Sequence, residues 1–238
     1  MLSGHLWLLH GQLQRPDVWS ALLFPPGWRT HPVDLWSRPW QGFDDLSEWL
    51  AEAVSDAGAG PHVLLGYSMG GRLALHALTR QPERWQAAVI VAAHPGPESG
   101  RDREQAARFD THWANRFRHE PPDAVLDDWY RLPVFAGRPP AHRFALKDTP
   151  AERVAAMFEV FSKARQPWLL PALGRLRLPI HYITGSLDRP YTDWGKRLGH
   201  ALPTLTHHVI PDAGHRVPWE QPQRFMTCLT TILEGIPL

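Results

Sequence analysis

The stretch GYSMG at Gly66–Gly70 decides the fold of this 238-residue chain. It matches the pattern G-x-S-x-G and lies between a short apolar run, His62–Gly66, and a helical pattern at Arg72–Thr79. A sharp strand-to-helix turn of this kind presents the serine Oγ above the end of a sheet. Its glycines remove Cβ atoms that would clash across the turn. We therefore predict that Ser68 is a reactive hydroxyl; the alternative is a glycine-rich turn with an incidental serine.

Strands and helices alternate on both sides of this turn. The predicted strands are His5–Leu9, Thr30–Leu35, His62–Gly66, Ala87–Ala92, Leu178–Thr184 and Leu205–Ile210. The predicted helices are Pro16–Leu23, Phe43–Val54, Arg72–Thr79 and Pro218–Leu233. This alternation is typical of an α/β protein with a mostly parallel central sheet and helices on both faces.

Residues 95–171 interrupt the alternation. They are amphipathic, rich in Arg and aromatic residues, and carry no strand signal. A helical block between two strands of a parallel sheet indicates a lid. We expect a core formed by residues 1–94 and 172–238, with a helical lid inserted at 95–171.

Composition excludes several classes of function. The 25 Lys+Arg and 24 Asp+Glu residues leave a net charge of +1, which argues against a dedicated nucleic-acid binder. No apolar run is long enough to span a membrane, and the first residues lack a secretory pattern, so we expect a cytoplasmic location. Cys228 is the single cysteine, which excludes an intrachain disulfide.

We expect neither a metal nor a cofactor. His207 and His208 are adjacent in a predicted strand, so their rings point to opposite faces and do not converge on one ion. Neither a P-loop nor a G-x-G-x-x-G motif is present for a nucleotide.

Two further residues complete a catalytic set with Ser68. Asp188 follows the strand that ends at Thr184, and His215 follows the strand that ends at Ile210. In this chain order and at these strand ends, His215 would be the base for Ser68, and Asp188 would hold the imidazole tautomer. Asp193 and Asp212 are weaker candidates for the acid.

Two backbone N–H groups are candidates for an oxyanion hole. Met69 begins the helix after Ser68, so its N–H faces a developing anion. The loop His10-Gly11-Gln12 follows the first strand, where this type of fold supplies the second donor. We expect the Gln12 N–H to pair with that of Met69; the alternative is that Gly11 belongs to a plain turn.

The chain resembles the α/β-hydrolase superfamily along most of its length. From about Val63 to His215 it is similar to the 2-succinyl-6-hydroxy-2,4-cyclohexadiene-1-carboxylate synthases of menaquinone biosynthesis. The motifs that carry this similarity are Gly66–Arg72, His94–Gly96, Asp128–Tyr130, Pro133–Phe135 and Gln166–Pro167. The chain departs from the family at Asp34–Trp40, where relatives usually carry D-x-P-G-H-G.

The resemblance implies a lyase that eliminates pyruvate from 2-succinyl-5-enolpyruvyl-6-hydroxy-3-cyclohexene-1-carboxylate. On this hypothesis Ser68, activated by His215, removes a ring proton, and no acyl-enzyme forms. A small-molecule substrate with several carboxylates requires cations in its pocket. The alternatives are a carboxylesterase or thioesterase, for example an acyl-carrier-protein methyl ester hydrolase, with an acyl-enzyme on Ser68, and a non-enzymatic binding protein with this fold.

The resemblance also implies substrate-binding residues. Arg72, one turn into the helix after Ser68, is the best-placed cation. Lys147 stands at a lid position where relatives carry a basic residue, usually Arg, and it lacks the bidentate fork of a guanidinium. Arg103, or Arg108, on the first lid segment could bind a carboxylate instead. Tyr67 and Trp129 would form apolar walls against the ring.

Overall fold

Six parallel strands form the centre of the structure, a computed structural model that describes residues 4–136, 138–140, 143–146 and 149–237. The sheet order is β2-β1-β3-β4-β5-β6, and each neighbouring pair is parallel. The strands are β1 (Gly4–Leu9), β2 (Trp28–Val33), β3 (His62–Tyr67), β4 (Ala87–Val91), β5 (Ile180–Gly185) and β6 (Leu205–Ile210). The predicted α/β fold with a parallel central sheet is confirmed.

Helices connect the strands. Those in the described ranges are α1 (Phe43–Ala57), α2 (Met69–Arg80), α3 (Gly100–His119), α4 (Pro122–Tyr130), α5 (Ala151–Val160), α6 (Leu170–Leu173), α7 (Arg189–Ala201), α8 (Val217–Glu220) and α9 (Pro222–Glu234). Short 3-10 helices include Pro16–Ala21, Pro82–Arg84, Pro133–Phe135 and Lys163–Arg165. Within those ranges, no helix combines the length and the apolarity needed to cross a bilayer.

Two predicted helices differ from the observed ones. The segment after β1 forms a 3-10 helix at Pro16–Ala21, because only six residues lie between the extended residues at its two ends, and short segments favour i→i+3 hydrogen bonds. The predicted closing helix is divided at Gln221, which adopts φ −136° and ψ 63°. The cause is Pro222, since the residue before a proline is disfavoured in the α region.

Each face of the sheet carries its own hydrophobic core, because successive side chains of a strand point to opposite faces. In β1, Trp7 and Leu9 join the core that includes side chains of α1 and α2. Leu6 and Leu8 join the other core, together with residues of the first 3-10 helix and α9. The near-continuous apolar runs in the sequence therefore reflect burial on both faces.

The chain between β4 and β5 holds α3 to α6 in its described part, and residues 95–171 of it, which include α3 to α5 and the start of α6, are here called the inserted segment. Helices α3 and α5 pack together: the rings of Phe117 and Phe158 stack at 5.7 Å between centroids. Arg118 on α3 also pairs with Glu152 at 2.9 Å and Glu159 at 2.6 Å on α5. These contacts make the inserted segment a packed helical unit.

Candidate active site

Ser68, His215 and Asp188 form a hydrogen-bonded chain at the carboxyl edge of the sheet. The Ser68 Oγ lies 3.1 Å from His215 Nε2, and His215 Nδ1 lies 2.7 Å from Asp188 Oδ2. Asp188 is an acceptor, so it fixes the proton on Nδ1 and leaves Nε2 free to accept the serine proton. His215 and Asp188 are almost fully buried. The geometry therefore suits a Ser-His-Asp relay.

The alternative acids are engaged elsewhere on the surface. Asp212 pairs with Arg224 at 2.8 Å, and Asp193 lies 3.5 Å from Lys196. Both carboxylates are largely exposed. Asp188 is thus the acid that contacts the imidazole of His215.

The turn at Ser68 requires its glycines. Ser68 itself has φ +52°, a left-handed conformation that side chains with a Cβ rarely adopt, and its N–H is held by the carbonyl of Val91 at 2.9 Å. A Cβ on Gly66 would lie 2.4 Å from the carbonyl oxygen of Gly70, and a Cβ on Gly70 would lie 2.1 Å from the carbonyl oxygen of Leu9. The close approach of α2 to β1 and β3 therefore excludes larger residues at both positions.

Glu220 holds the loop that carries His215. Its carboxylate accepts hydrogen bonds from the N–H of Gly214 at 2.7 Å and the N–H of Arg216 at 3.0 Å, on either side of the histidine. The guanidinium of Arg138, in the inserted segment, donates to the same carboxylate. The sequence analysis did not identify this acid. The signal that could have found it is an acidic residue five positions after the candidate histidine.

Gln12 and Met69, the residues expected to form the oxyanion hole, both line the cavity that contains Ser68. The neighbouring Gly11 N–H is held by Gln14 Oε1 at 2.8 Å. Among the described residues, no acceptor lies within hydrogen-bond distance of the backbone N–H of Gln12 or Met69. Both groups are therefore available to a ligand.

A cavity of about 760 Å³ opens above Ser68. Its apolar wall comes mostly from the inserted segment and includes the buried Trp129, in line with the predicted wall. The other apolar residues of this wall are Ala106, Phe109, Leu132, Pro133, Val134, Phe135, Phe158 and Phe161. A cavity of this size and character accommodates a small organic ring.

Besides Arg197 on α7, two cations line the same cavity, Arg72 on α2 and Lys163 in the inserted segment. Arg72 donates from Nη2 to the carbonyl of Phe161 at 2.8 Å and from Nη1 to Gln166 Oε1 at 3.4 Å. In the described part of the chain, neither cation has a carboxylate within ion-pair distance. Burial lowers the pKa of Arg72 and the pKa of Lys163. Sequence reasoning missed Lys163, which carries no motif signal.

Several other polar groups of the cavity are already engaged. Asp110 Oδ2 accepts from Ser162 Oγ at 2.7 Å and from the Lys163 N–H at 3.0 Å, and burial raises the pKa of this carboxyl. Burial lowers the pKa of His94 to about 3, so the ring is neutral near pH 7. Arg197 is paired with Glu98 at 2.5 Å. Arg72 and Lys163 are therefore the cations available to a carboxylate ligand.

Two predicted substrate-binding residues, Arg103 and Tyr67, do not line the main cavity. Arg103 is exposed and does not line the cavity; it donates to the carbonyls of Ala164 and Gln166, so its contact with substrate stays a prediction. Tyr67 is buried against His215, with 5.5 Å between ring centroids. Lys147 lies outside the described residues.

Metal-ligating residues do not gather at this site. Across the ranges the structure describes, no three His, Cys, Asp or Glu side chains are arranged to hold a metal ion.

Comparison with known proteins agrees with this geometry. The family described as "Alpha/beta hydrolase family" matches residues 8–227. A 2-succinyl-6-hydroxy-2,4-cyclohexadiene-1-carboxylate synthase from Serratia proteamaculans is 34% identical over 95% of this chain and 92% of its own length. One from Yersinia pestis is 36% identical over 94% of this chain and 80% of its own length.

The chain belongs to the α/β-hydrolase superfamily and, within it, to the 2-succinyl-6-hydroxy-2,4-cyclohexadiene-1-carboxylate synthase family. The predicted membership is confirmed, and the chain is an enzyme of this superfamily.

Solved structures of the superfamily share the fold. MenH from S. aureus superimposes with a TM-score of 0.89 at 20% identity, over 97% of this chain and 93% of that one. A thermophilic esterase from Thermogutta terrifontis gives a TM-score of 0.78 at 23% identity, over 98% of this chain and 91% of that one. MenH and an esterase thus share this fold with the chain, so the fold by itself does not assign a reaction.

Proposed function

We propose that this enzyme eliminates pyruvate from 2-succinyl-5-enolpyruvyl-6-hydroxy-3-cyclohexene-1-carboxylate and forms 2-succinyl-6-hydroxy-2,4-cyclohexadiene-1-carboxylate. The observation that carries the proposal is that Ser68 shares one cavity with two cations, Arg72 and Lys163, that lack carboxylate partners in the described part of the chain. The match to the synthase family over nearly the whole chain supports the same assignment.

The charge of the cavity suits this substrate. A partly buried cation without a counter-ion is costly unless a ligand supplies the negative charge. The substrate carries a carboxylate on the ring, one on the succinyl chain and one on the enolpyruvyl group. Arg72 and Lys163 would bind carboxylates at the ends of the substituents, while aromatic side chains such as Trp129 and Phe135 pack against the ring.

The reaction requires one base. The names of substrate and product place the lost proton on ring carbon 2, next to the succinyl ketone, and the leaving oxygen on carbon 5. His215 would take the hydroxyl proton of Ser68 as Ser68 Oγ removes the proton from carbon 2. The electron pair then forms the bond between carbons 2 and 3, the existing double bond shifts to carbons 4 and 5, and the enolate of pyruvate departs.

The oxyanion hole would serve the same step. Loss of the proton from carbon 2 places negative charge on the oxygen of the succinyl ketone. The backbone N–H groups of Gln12 and Met69, next to Ser68 in the cavity wall, would donate to that oxygen. Preorganised donors of this kind stabilise developing charge without an acyl-enzyme.

The inserted segment would act as the lid over this chemistry. We infer a division into a core of residues 1–94 and 172–238 and a lid of residues 95–171. The apolar wall of the cavity supports it, since Phe109, Trp129, Phe158 and Phe161 all belong to the inserted segment. Such a wall excludes water from the reacting carbons, which strengthens the electrostatic interactions of the site.

The test is pyruvate release from the enolpyruvyl substrate, coupled to lactate dehydrogenase. Wild-type protein is expected to release one pyruvate per substrate, and Ser68→Ala to lose this activity. Ser20→Ala is the matched control, because Ser20 is exposed and its Oγ donates only to the nearby carbonyl of Asp17 at 2.7 Å. Absence of pyruvate above background with the wild type would refute the proposal.

The esterase alternative is tested in parallel with p-nitrophenyl butyrate. Ester turnover with a burst that depends on Ser68, together with no pyruvate release, would assign the chain to ester hydrolysis. Pyruvate release without a burst supports the lyase, because the elimination needs no acyl-enzyme.

A further inference from the structure

A second, smaller space borders Ser68, and the reaction described above leaves it unused. It has a volume of about 30 Å³, and we call it the side pocket. Its wall shares Gln12, Ser68, Trp129 and Phe135 with the main cavity, so the two spaces meet at the reactive hydroxyl. Its size suits one small polar group, since a single water needs roughly 10–15 Å³ by this measure.

Two residues that line the side pocket each carry a buried donor without an acceptor. Among the described residues, Arg216 Nη2 and Gln12 Nε2 have no hydrogen-bond partner. The Arg216 residue is only 5% exposed. Buried polar atoms are almost always hydrogen-bonded, so two unpaired donors in one pocket indicate a ligand that accepts from both.

Among the described residues, Arg216 has no carboxylate within ion-pair distance, although Glu220 attracts its charge from farther away. Its Nη1 donates to the carbonyl of Arg138 at 2.8 Å, and its guanidinium carbon lies 3.7 Å from the centroid of the Phe135 ring. Stacking on Phe135 occupies the face of the guanidinium and leaves its edge free to donate. The neighbouring Glu220 is held by the guanidinium of Arg138 and by backbone N–H groups.

We propose that Arg216 and the side-chain amide of Gln12 form a carboxylate subsite for the carboxylate attached directly to the ring of the substrate. The assignment to this carboxylate rests on the proposed function. The ring carboxylate sits on carbon 1, one bond from the carbon that Ser68 deprotonates, so it must lie beside Ser68. The side pocket borders Ser68, whereas Arg72 and Lys163 line only the main cavity.

The subsite would also set which face of the ring meets the base. A carboxylate held by Arg216 and Gln12 fixes carbon 1, and the substituent carboxylates at Arg72 and Lys163 fix the far ends of the molecule. Three anchored carboxylates leave the ring one orientation in the cavity.

The experiment uses 3-cyclohexene-1-carboxylate, which has the ring and one carboxylate but neither of the other two. Its dissociation constant is measured by ligand-observed NMR for the wild type, Arg216→Met and Gln12→Leu. Loss of a charge-assisted pair is expected to weaken binding about 10- to 100-fold in Arg216→Met, and loss of a neutral donor about 3- to 10-fold in Gln12→Leu. The uncharged 3-cyclohexene-1-carboxamide should lose no more than about twofold in Arg216→Met.

Two matched control variants show whether the loss of ring-carboxylate binding is specific to the side pocket. Arg175→Met removes an exposed arginine and should leave binding of the ring carboxylate unchanged. Arg177→Met removes a second exposed arginine outside both cavities and should also leave it unchanged. Unaltered binding in both Arg216→Met and Gln12→Leu would overturn the subsite, as would equal losses for the carboxylate and the carboxamide.

Pyruvate release by the same proteins separates this inference from the proposed function. If wild-type protein releases no pyruvate but ring-carboxylate binding still depends on Arg216, the proposed function fails and the carboxylate subsite stands. If wild type releases pyruvate and Arg216→Met matches its kcat, KM and probe affinity, the subsite fails and the proposed function stands.

Discussion

Replacement of Arg72 by Met tests whether the cavity is built for a polycarboxylate. Met keeps the length and apolar stem of the side chain and removes the charge and the hydrogen-bond donors. The Arg72 guanidinium lies in the cavity wall and donates hydrogen bonds to a backbone carbonyl and to an amide oxygen. In the described ranges, no carboxylate forms an ion pair with it. A substrate carboxylate would be its strongest partner.

The expected loss follows from that contact. A hydrogen bond to a charged group contributes about 1.5–3 kcal/mol, which corresponds to roughly 10- to 150-fold in kcat/KM. Loss of the bond from Arg72 Nη2 to the Phe161 carbonyl, at 2.8 Å, should lower the free energy of unfolding by a similar amount, about 1.5–3 kcal/mol. The effect on substrate is therefore read from kcat/KM at a temperature where urea unfolding shows the variant to be folded.

The assay compares pyruvate release with hydrolysis of a small neutral ester by the same protein. Arg80→Met is the matched control, because Arg80 lies on the same helix, is half exposed and pairs with Asp44 at 3.0 Å. We expect a higher KM for the carboxylate substrate in Arg72→Met and little change for the ester. Equal losses on both compounds would mean that Arg72 is structural, and the charge argument would fail.

Three further predictions concern the turn, the histidine loop and acid stability. Gly70→Ala should lower Tm by several degrees, because its Cβ would lie 2.1 Å from the Leu9 carbonyl oxygen. Gly174→Ala is the control and should be tolerated, since the nearest atom to its Cβ would be 3.6 Å away. Equal Tm values for the two variants would contradict this prediction. Glu220→Gln should lower kcat about 10-fold or more with little change in KM, because it weakens the hydrogen bonds that hold the N–H groups on either side of His215. A change in KM alone would argue against a positioning role for Glu220. Burial lowers the pKa of His10 to about 4 from an ordinary value of 6.5, so the stability that depends on the neutral ring is complete above pH 6.5 and is lost as pH falls towards 4. Urea unfolding at pH 7 and pH 5 should show a smaller loss for His10→Asn than for wild type, and an identical loss would exclude His10 as a contributor.

Local signals in the sequence were enough for most of the sheet and for the grouping of Ser68, Asp188 and His215. Strands β1, β3, β4 and β5 are short, mostly apolar runs, and the three residues follow the ends of β3, β5 and β6 within about five positions. The carboxyl ends of parallel strands share one edge, so these three side chains had to lie on the same side of the sheet. The structure then places them within hydrogen-bond distance.

Helix boundaries were harder to predict from the sequence, because at a helix end a local break signal competes with the apolar periodicity around it. The break at Gln221 follows from Pro222, a local signal, but the apolar periodicity on both sides of it favoured one continuous helix. The 3-10 helix at Pro16–Ala21 likewise depends on how few residues remain between its extended neighbours.

The sequence by itself determined the order of strands, the glycine-framed turn and the loops that carry the triad, because strand periodicity and turn chemistry act over a few neighbouring residues. Only the tertiary structure decided which cations line the two cavities. Lys163 lines the main cavity and Arg216 the side pocket, while Arg103 lies outside both on backbone carbonyls. These placements depend on how the inserted helices pack over the sheet, and no local sequence pattern predicts that packing.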